Sequence, residues 1–151
     1  MPQAGKEDIP MTDPVNDFTT YLNAATGDLA WLVKSSDNAG TGTLYMYDMP
    51  PTPDKAVAVL RYEGRAPTET YGNPMAVRSP RLQVTVRDKI SVNAFATADL
   101  IMKRMNVKDT VINGTKYQRI KPVSEPTELG PDSSSRQRVT INFEVSYEDS
   151  L

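Results

Sequence analysis

The stretch EPTELGPDSSSRQRVTINFEVSYED, residues 125–149, decides the fold. Its second half alternates Val139, Ile141, Phe143, Val145 and Tyr147 with Thr140, Asn142, Glu144 and Ser146. That period of two is what a strand shows when one face meets a core. Its first half, rich in Pro, Gly, Asp and Ser, reads as a turn-rich lead into the strand. A strand of this quality completes a sheet, and the rest of the chain must supply the other strands and a covering layer.

Upstream, VINGTKYQRIKPV reads as a hairpin, because Asn113-Gly114 favours a turn with both central residues at positive φ. SVNAFATADLIMKRMN, residues 91–106, reads as a helix capped by Ser91, with Val92, Phe95, Ala98, Met102 and Met105 as its apolar stripe. Lys103 and Arg104 suit the negative end of its dipole, and alanines 94, 96 and 98 let it lie close to a sheet. RLQVTVRD, residues 81–88, turns Leu82, Val84 and Val86 inward, and AVAVLRY, residues 56–62, sets Val57 and Val59 against Ala58, Leu60 and Tyr62. Between these two, residues 63–80 have no period and three prolines, and are expected to form a long functional loop.

TLYMYDM, residues 43–49, is a short strand or a lid stopped by PPTPD, and SSDNAGTG, residues 35–42, is a turn-rich loop. Near the start, Asp13 caps a helix with Pro14 in its first position and Val15, Phe18, Leu22 and Ala25 on one face. That helix either breaks at Gly27 or runs on through LAWLVK. The polar residues 1–12 are expected to be a flexible arm, leaving residues 13–151 as one domain. The pattern is α+β: two main helices packed on a largely antiparallel or mixed sheet of about four to six strands.

The chain of 151 residues has one domain's length, and its 38% hydrophobic content fits either a polar small domain or one that shares apolar surface with other subunits. A net charge of −2 nominates neither nucleic acid nor an anionic membrane. The distribution is uneven: residues 1–50 hold two basic and seven acidic side chains, residues 51–151 fifteen and twelve. Such asymmetry suits head-to-tail contacts between copies, and equally suits unequal solvated faces. With no cysteine and no histidine, thiol nucleophiles, the usual zinc sites and imidazole-based triads are excluded. The absence of disulfides fits a reducing cytoplasm, and the N-terminus lacks the charge and hydropathy order of a secretory signal.

Other candidate sites are weak. Asn113-Gly114-Thr115 matches a glycosylation sequon but reads as a turn, and AGTGT lacks the lysine of a phosphate loop. Asp13, Asp17 and Asp28 could be drawn as a magnesium site, though their spacing serves capping and solvation better. Glu63 with Glu69 is an arbitrary pair among nineteen acids, and the hydroxyls of DSSSR have no activating base. Arg61, Arg65, Arg78, Arg81 and Arg87, interleaved with Tyr62 and Tyr71, form a stripe that would serve a DNA-binding module, a subunit interface or a solvated face.

The succession of pieces resembles a known family. LYMYDMPPTPDKAVAV, RLQVTVRD, an alanine-rich helix, INGTKYQRIKPVSEPTELGPDSSSRQR and INFEVSYE are together similar to the minor capsid, or tail terminator, proteins of long-tailed bacteriophages. The likeness spans residues 13 to about 148 and is most specific from Ile112 to Val145, where Gly114, Tyr117, Ile120, Pro126, Leu129, Gly130, Asp132, Arg136, Asn142 and Phe143 stand in order. The chain departs from the pattern at DSSSR, where a glycine is expected just before the arginine. The resemblance implies a structural virion protein without catalytic residues, metal or cofactor. It implies a ring, generally hexameric, that caps the tail tube, joins it to the head connector and leaves a channel through which genomic DNA passes without sequence recognition. The implied partners are further copies, the tail tube protein and a head connector or neck protein, with no membrane. The implied location is the head–tail junction of the virion, after assembly in the host cytoplasm. A head-side neck or head-completion protein is the alternative within that reading. A closed ring needs one patch to complement a different patch on the same chain. The segment 63–80 and the N-terminal arm are the expected patches, with Arg65, Tyr71, Arg78 and Arg136 as expected interface residues.

Overall fold

Asp13 does open the first helix: its Oδ1 accepts from the amides of Val15 and Asn16 at 3.1 and 3.2 Å, and Pro14 begins α1 (Pro14–Asn23). Val15, Phe18 and Leu22 are fully buried along its inner side. The helix stops at Asn23, and Gly27, at φ +65°, starts a separate 3-10 turn, Gly27–Leu29. The chain is described here from a computed structural model over residues 12–36, 42–69 and 75–150. Residues 1–11 of the expected arm, most of the 35–42 turn and Tyr71 lie outside the described residues.

Seven strands follow among the described residues, more than the expected four to six: β1 (Leu44–Met46), β2 (Ala56–Glu69), β3 (Met75–Asp88), β4 (Val107–Ile112), β5 (Thr115–Pro122), β6 (Thr127–Pro131) and β7 (Gln137–Ser150), with α2 (Ser91–Arg104) between β3 and β4. They form a single sheet ordered β1-β2-β3-β7-β5-β4, with β6 also paired to β7. The sheet is mixed, because β1 runs parallel to β2 while the other pairs are antiparallel. Helix α1 touches β1, β2 and β4, which stand at opposite ends of the strand order, so the sheet curls around it.

The period-two reading of β7 holds. Val139, Ile141, Phe143, Val145 and Tyr147 are all at most 1% exposed, and they register with Val86, Val84 and Leu82 of β3 and Ile120 and Tyr117 of β5. Phe18 of α1 meets Phe143 edge-on at 5.1 Å between ring centroids. Asn113 and Gly114 take φ of +50° and +83°, the left-handed pair that a tight two-residue hairpin requires.

Three expectations are corrected. Ser91 does not cap α2: it is the first helical residue, Ile90 holds the cap position, and the side chain of Asp88 accepts from the Ile90 amide at 3.1 Å. The buried face is also rotated from the expected stripe, to Ala94, Thr97, Ala98, Ile101 and Met105, leaving Val92 69% exposed. Ala94 and Ala98 let the helix backbone approach β3 and β7, whereas the bulkier Phe95 and Met102 pack at its flank. The larger correction concerns residues 63–80. Within their described part, 63–69 continue β2 and 75–80 begin β3, so a strand pair stands where a loop was expected. Arg61 to Glu69 are exposed throughout, and without a buried face no alternation appears in the sequence. Prolines fit because the register shifts between Arg61 and Gly64 and again between Arg65 and Thr68, around Pro67.

Candidate functional site: the strand arm and the outer sheet face

Both helices cover one face of the sheet. On the outer face the side chains of β2, β3 and β7 run in rows, Ala58 beside Thr85 and Thr140, Leu60 beside Gln83 and Asn142, and Arg81 beside Glu144. At one end Tyr45, Ala56 and Ala58 are buried with Met49 into a small second cluster.

Beyond the core the sheet continues as an arm of three strands, the far halves of β2 and β3 and the end of β7. Gly64 lies at its root, where a Cβ would come within 2.5 Å of the Ser79 carbonyl oxygen and 2.7 Å of the Pro80 Cα. Only glycine permits that approach of β2 to β3. β1 pairs only with Val57 to Val59, so among the described residues β2 is an edge along the arm, and bulges, Pro67 and charged side chains blunt it against simple strand addition.

The arginine stripe is divided by this geometry. Arg65 reaches the buried carboxylate of Glu144 at 2.9 Å, and Arg81 approaches the same carboxylate at 3.8 Å. Arg78 registers beside Tyr147 on the other face and pairs with Asp149 at 3.2 Å. Arg87 is buried and donates to the carbonyls of Pro53 and Asp54, and burial followed by the charge of Arg136 lowers its pKa. Arg61 is exposed, with no carboxylate partner among the described residues.

Arg136 sits inside its own protomer. Its guanidinium holds Asp132 at 2.9 Å, lies 3.5 Å from Asp54 and donates to the Pro51 carbonyl, binding the β6–β7 turn to the segment before β2. Asp132 in turn accepts from the amides of Ser134 and Arg136. These bonds, chiefly the one from the Arg136 amide, hold its carboxyl below the usual range. Ser135, where the resemblance led to the expectation of a glycine, stands at φ +63°, a left-handed backbone that glycine adopts without strain.

The acids considered as a metal set have separate surroundings. Asp13 caps α1, Asp28 is exposed, and Asp17 is buried, accepting from Asn113 Nδ2 at 2.8 Å and from the Tyr117 hydroxyl. That bond across a hundred residues of chain fastens α1 to the β4–β5 hairpin, and sequence reasoning had no signal for it. Glu63 and Glu69 are exposed strand residues of the arm. No helix among the described residues is long and apolar enough to cross a membrane.

Comparison with known proteins agrees with this architecture. A protein from the virion of a native gene transfer agent particle superposes with a TM-score of 0.64 at 14% identity, over 90% of this chain and 95% of that one. Identity that low speaks for the fold alone. A second solved structure aligns over 90% of this chain and 91% of its own at 14% identity, but its TM-score of 0.47 is too low to argue from. No curated protein matches. The family model described as bacteriophage tail terminator protein matches residues 28–149, from the 3-10 turn through β7. The chain belongs to the bacteriophage tail terminator protein family and is a structural protein of phage tails.

Proposed function

We propose that the protein assembles with copies of itself into a closed, hexameric ring that caps the tail tube and joins it to the head connector, leaving a channel for DNA. The observation that carries this reading, beside family membership, is the arm. Nine consecutive residues of β2, Arg61 to Glu69, stand exposed, and none of them belongs to the protomer's own core. Ordered strands held clear of a core are suited to contacts outside the protomer, and a heterologous contact of this kind closes a ring when the rotation between copies allows it. In this reading Arg65 and Tyr71 contact the neighbour from the arm, Arg78 supports its root, and Arg136 fixes the β6–β7 turn that the next copy meets. The tail tube protein and the head connector meet the two ends of the ring, which places the protein at the head–tail junction.

The DNA-binding alternative loses support from the geometry, since Arg65, Arg78 and Arg81 face carboxylates and Arg87 is buried. Light scattering and electron microscopy of the protein, alone and mixed with purified tail tubes, test the proposal. Closed rings in solution or on tube ends are expected. Monomers that leave tube ends bare and instead shift with DNA at moderate salt would overturn it. Arg65→Gln is the cleaner interface variant, because Arg65→Glu would set a second carboxylate against Glu144.

A further inference from the structure

We infer that Asn113 is a site of spontaneous chemical modification, in which its side chain loses ammonia to the Gly114 amide, and that the product unfastens α1 from the β4–β5 hairpin. Asn113 is the one asparagine of the sequence that a glycine follows. The reaction needs the next residue's amide nitrogen to reach the carboxamide carbon, and a side chain on that residue obstructs the approach; glycine has none. The fold leaves both groups in water. Asn113 and Gly114 are exposed at the tip of the turn, and the Gly114 amide donates to no acceptor among the described residues. After Asn16, Asn23 and Asn93, by contrast, the next amide is committed to a backbone carbonyl, and Asn106 precedes the branched Val107.

The Gly114 nitrogen gives up its proton to water and bonds to Asn113 Cγ, the Cγ–Nδ2 bond breaks, and ammonia departs from a cyclic imide. Water then opens the imide. Opening at the side-chain carbonyl gives aspartate; opening at the backbone carbonyl gives isoaspartate, whose main chain runs through Cβ and Cγ. In sum one water is taken up and one ammonia released, with no change of oxidation state. The restraint on this reaction is Asp17. Asn113 Nδ2 donates to Asp17 Oδ1 at 2.8 Å and lies 3.4 Å from Thr20 Oγ1, so the carboxamide has to leave α1 before it can turn to its own backbone. Either product then lacks that donor. Aspartate sets a second carboxylate against Asp17, which is 4% exposed, and the like charges repel. Isoaspartate also lengthens the turn that holds Ile112 in register with Thr115.

The full-length protein, incubated folded at mildly alkaline pH and followed by peptide mass spectrometry, is expected to gain aspartate and isoaspartate at position 113 before Asn16, Asn23, Asn93, Asn106 or Asn142 changes. Asp17→Ala should react about tenfold faster, as release from one hydrogen bond to a charged group implies. Tyr117→Phe loosens the same seam without touching the carboxamide and should keep the native rate. Asn113→Asp, which is one of the two products made directly, should have a lower Tm. The exchanged pair Asp17→Asn/Asn113→Asp restores the bond in the opposite sense and should recover most of that loss. The urea-unfolded chain supplies the reference rate. A folded protein that keeps Asn113 intact while the unfolded chain converts it would overturn the inference. So would equal rates in Asp17→Ala and the native protein, or an Asn113→Asp variant as stable as the native one. All these readouts stand whether or not the protein forms rings.

Discussion

Removing the Asp17 carboxylate should loosen the molecule at the seam where the curled sheet meets α1. Asp17 is 4% exposed and Tyr117 1% exposed. In Asp17→Ala the Tyr117 hydroxyl is left buried without an acceptor, a penalty of about 1–3 kcal/mol. Asn113, on an exposed turn, can rotate its amide to water and adds little. The lost charge-assisted bond is offset in part because the variant no longer buries a carboxylate. The expected cost is about 2 kcal/mol, which for a chain of this length lowers Tm by about 4–8 °C. Tyr117→Phe should cost about 1–2 kcal/mol, since the carboxylate keeps Asn113. The double variant should cost less than the sum of the two, with a coupling of about 1–2 kcal/mol. Urea unfolding of the four proteins measures all three quantities, with an unchanged m-value showing that the folded state is intact. Additive costs, or a loss under about 0.5 kcal/mol in Asp17→Ala, would refute the bond as the link between α1 and the hairpin.

Three further outcomes follow from single sites. Burial, followed by the Asp17 hydrogen bond, pushes the Tyr117 phenol far above its ordinary value of 10.0, and burial also raises that of Tyr147. A raised folded pKa means stability that is complete below pH 10 and falls above it, by up to about 1.4 kcal/mol per pH unit per tyrosine, and Tyr117→Phe should flatten that fall in alkaline unfolding curves. Ser135→Gly should raise Tm, because relief of the left-handed strain at φ +63° exceeds the entropy lost to glycine by about 0.5–1 kcal/mol; a lower Tm would contradict the strain. Gly64→Ala should cost about 1–3 kcal/mol by overpacking against the β3 backbone, with amide exchange rising first in the arm and the core amides staying protected.

The core strands and the first helix were legible from residue types because each meets the core on one face. The alternation of Val139 to Tyr147, the Asn113-Gly114 turn and the Asp13-Pro14 start each have a local cause, and each stands as read. The stripe of α2 was misjudged by about one residue because Ala94 and Ala98 carry little hydrophobic signal although their smallness sets how the helix docks. β6 and the far half of β2 were missed for the opposite reason: they bury neither face, and strand order there comes from pairing partners distant in sequence. Of the expected interface residues, Arg65, Arg78 and Arg136 could be chosen by residue type, but only the fold shows which carboxylate each one meets.

By itself, the amino-acid order determined where strands alternate, where backbones turn and which chemistries lack their reagents, since these depend on neighbours within a few positions. Only the tertiary structure decided that the sheet is mixed and curls around α1, that the arginine stripe is split between two faces, and that Tyr47, Met49, Leu60 and Leu129 line a groove on the face opposite α1 and α2. Those features arise from pairings between residues many positions apart, and no local pattern encodes which distant side chain will stand opposite.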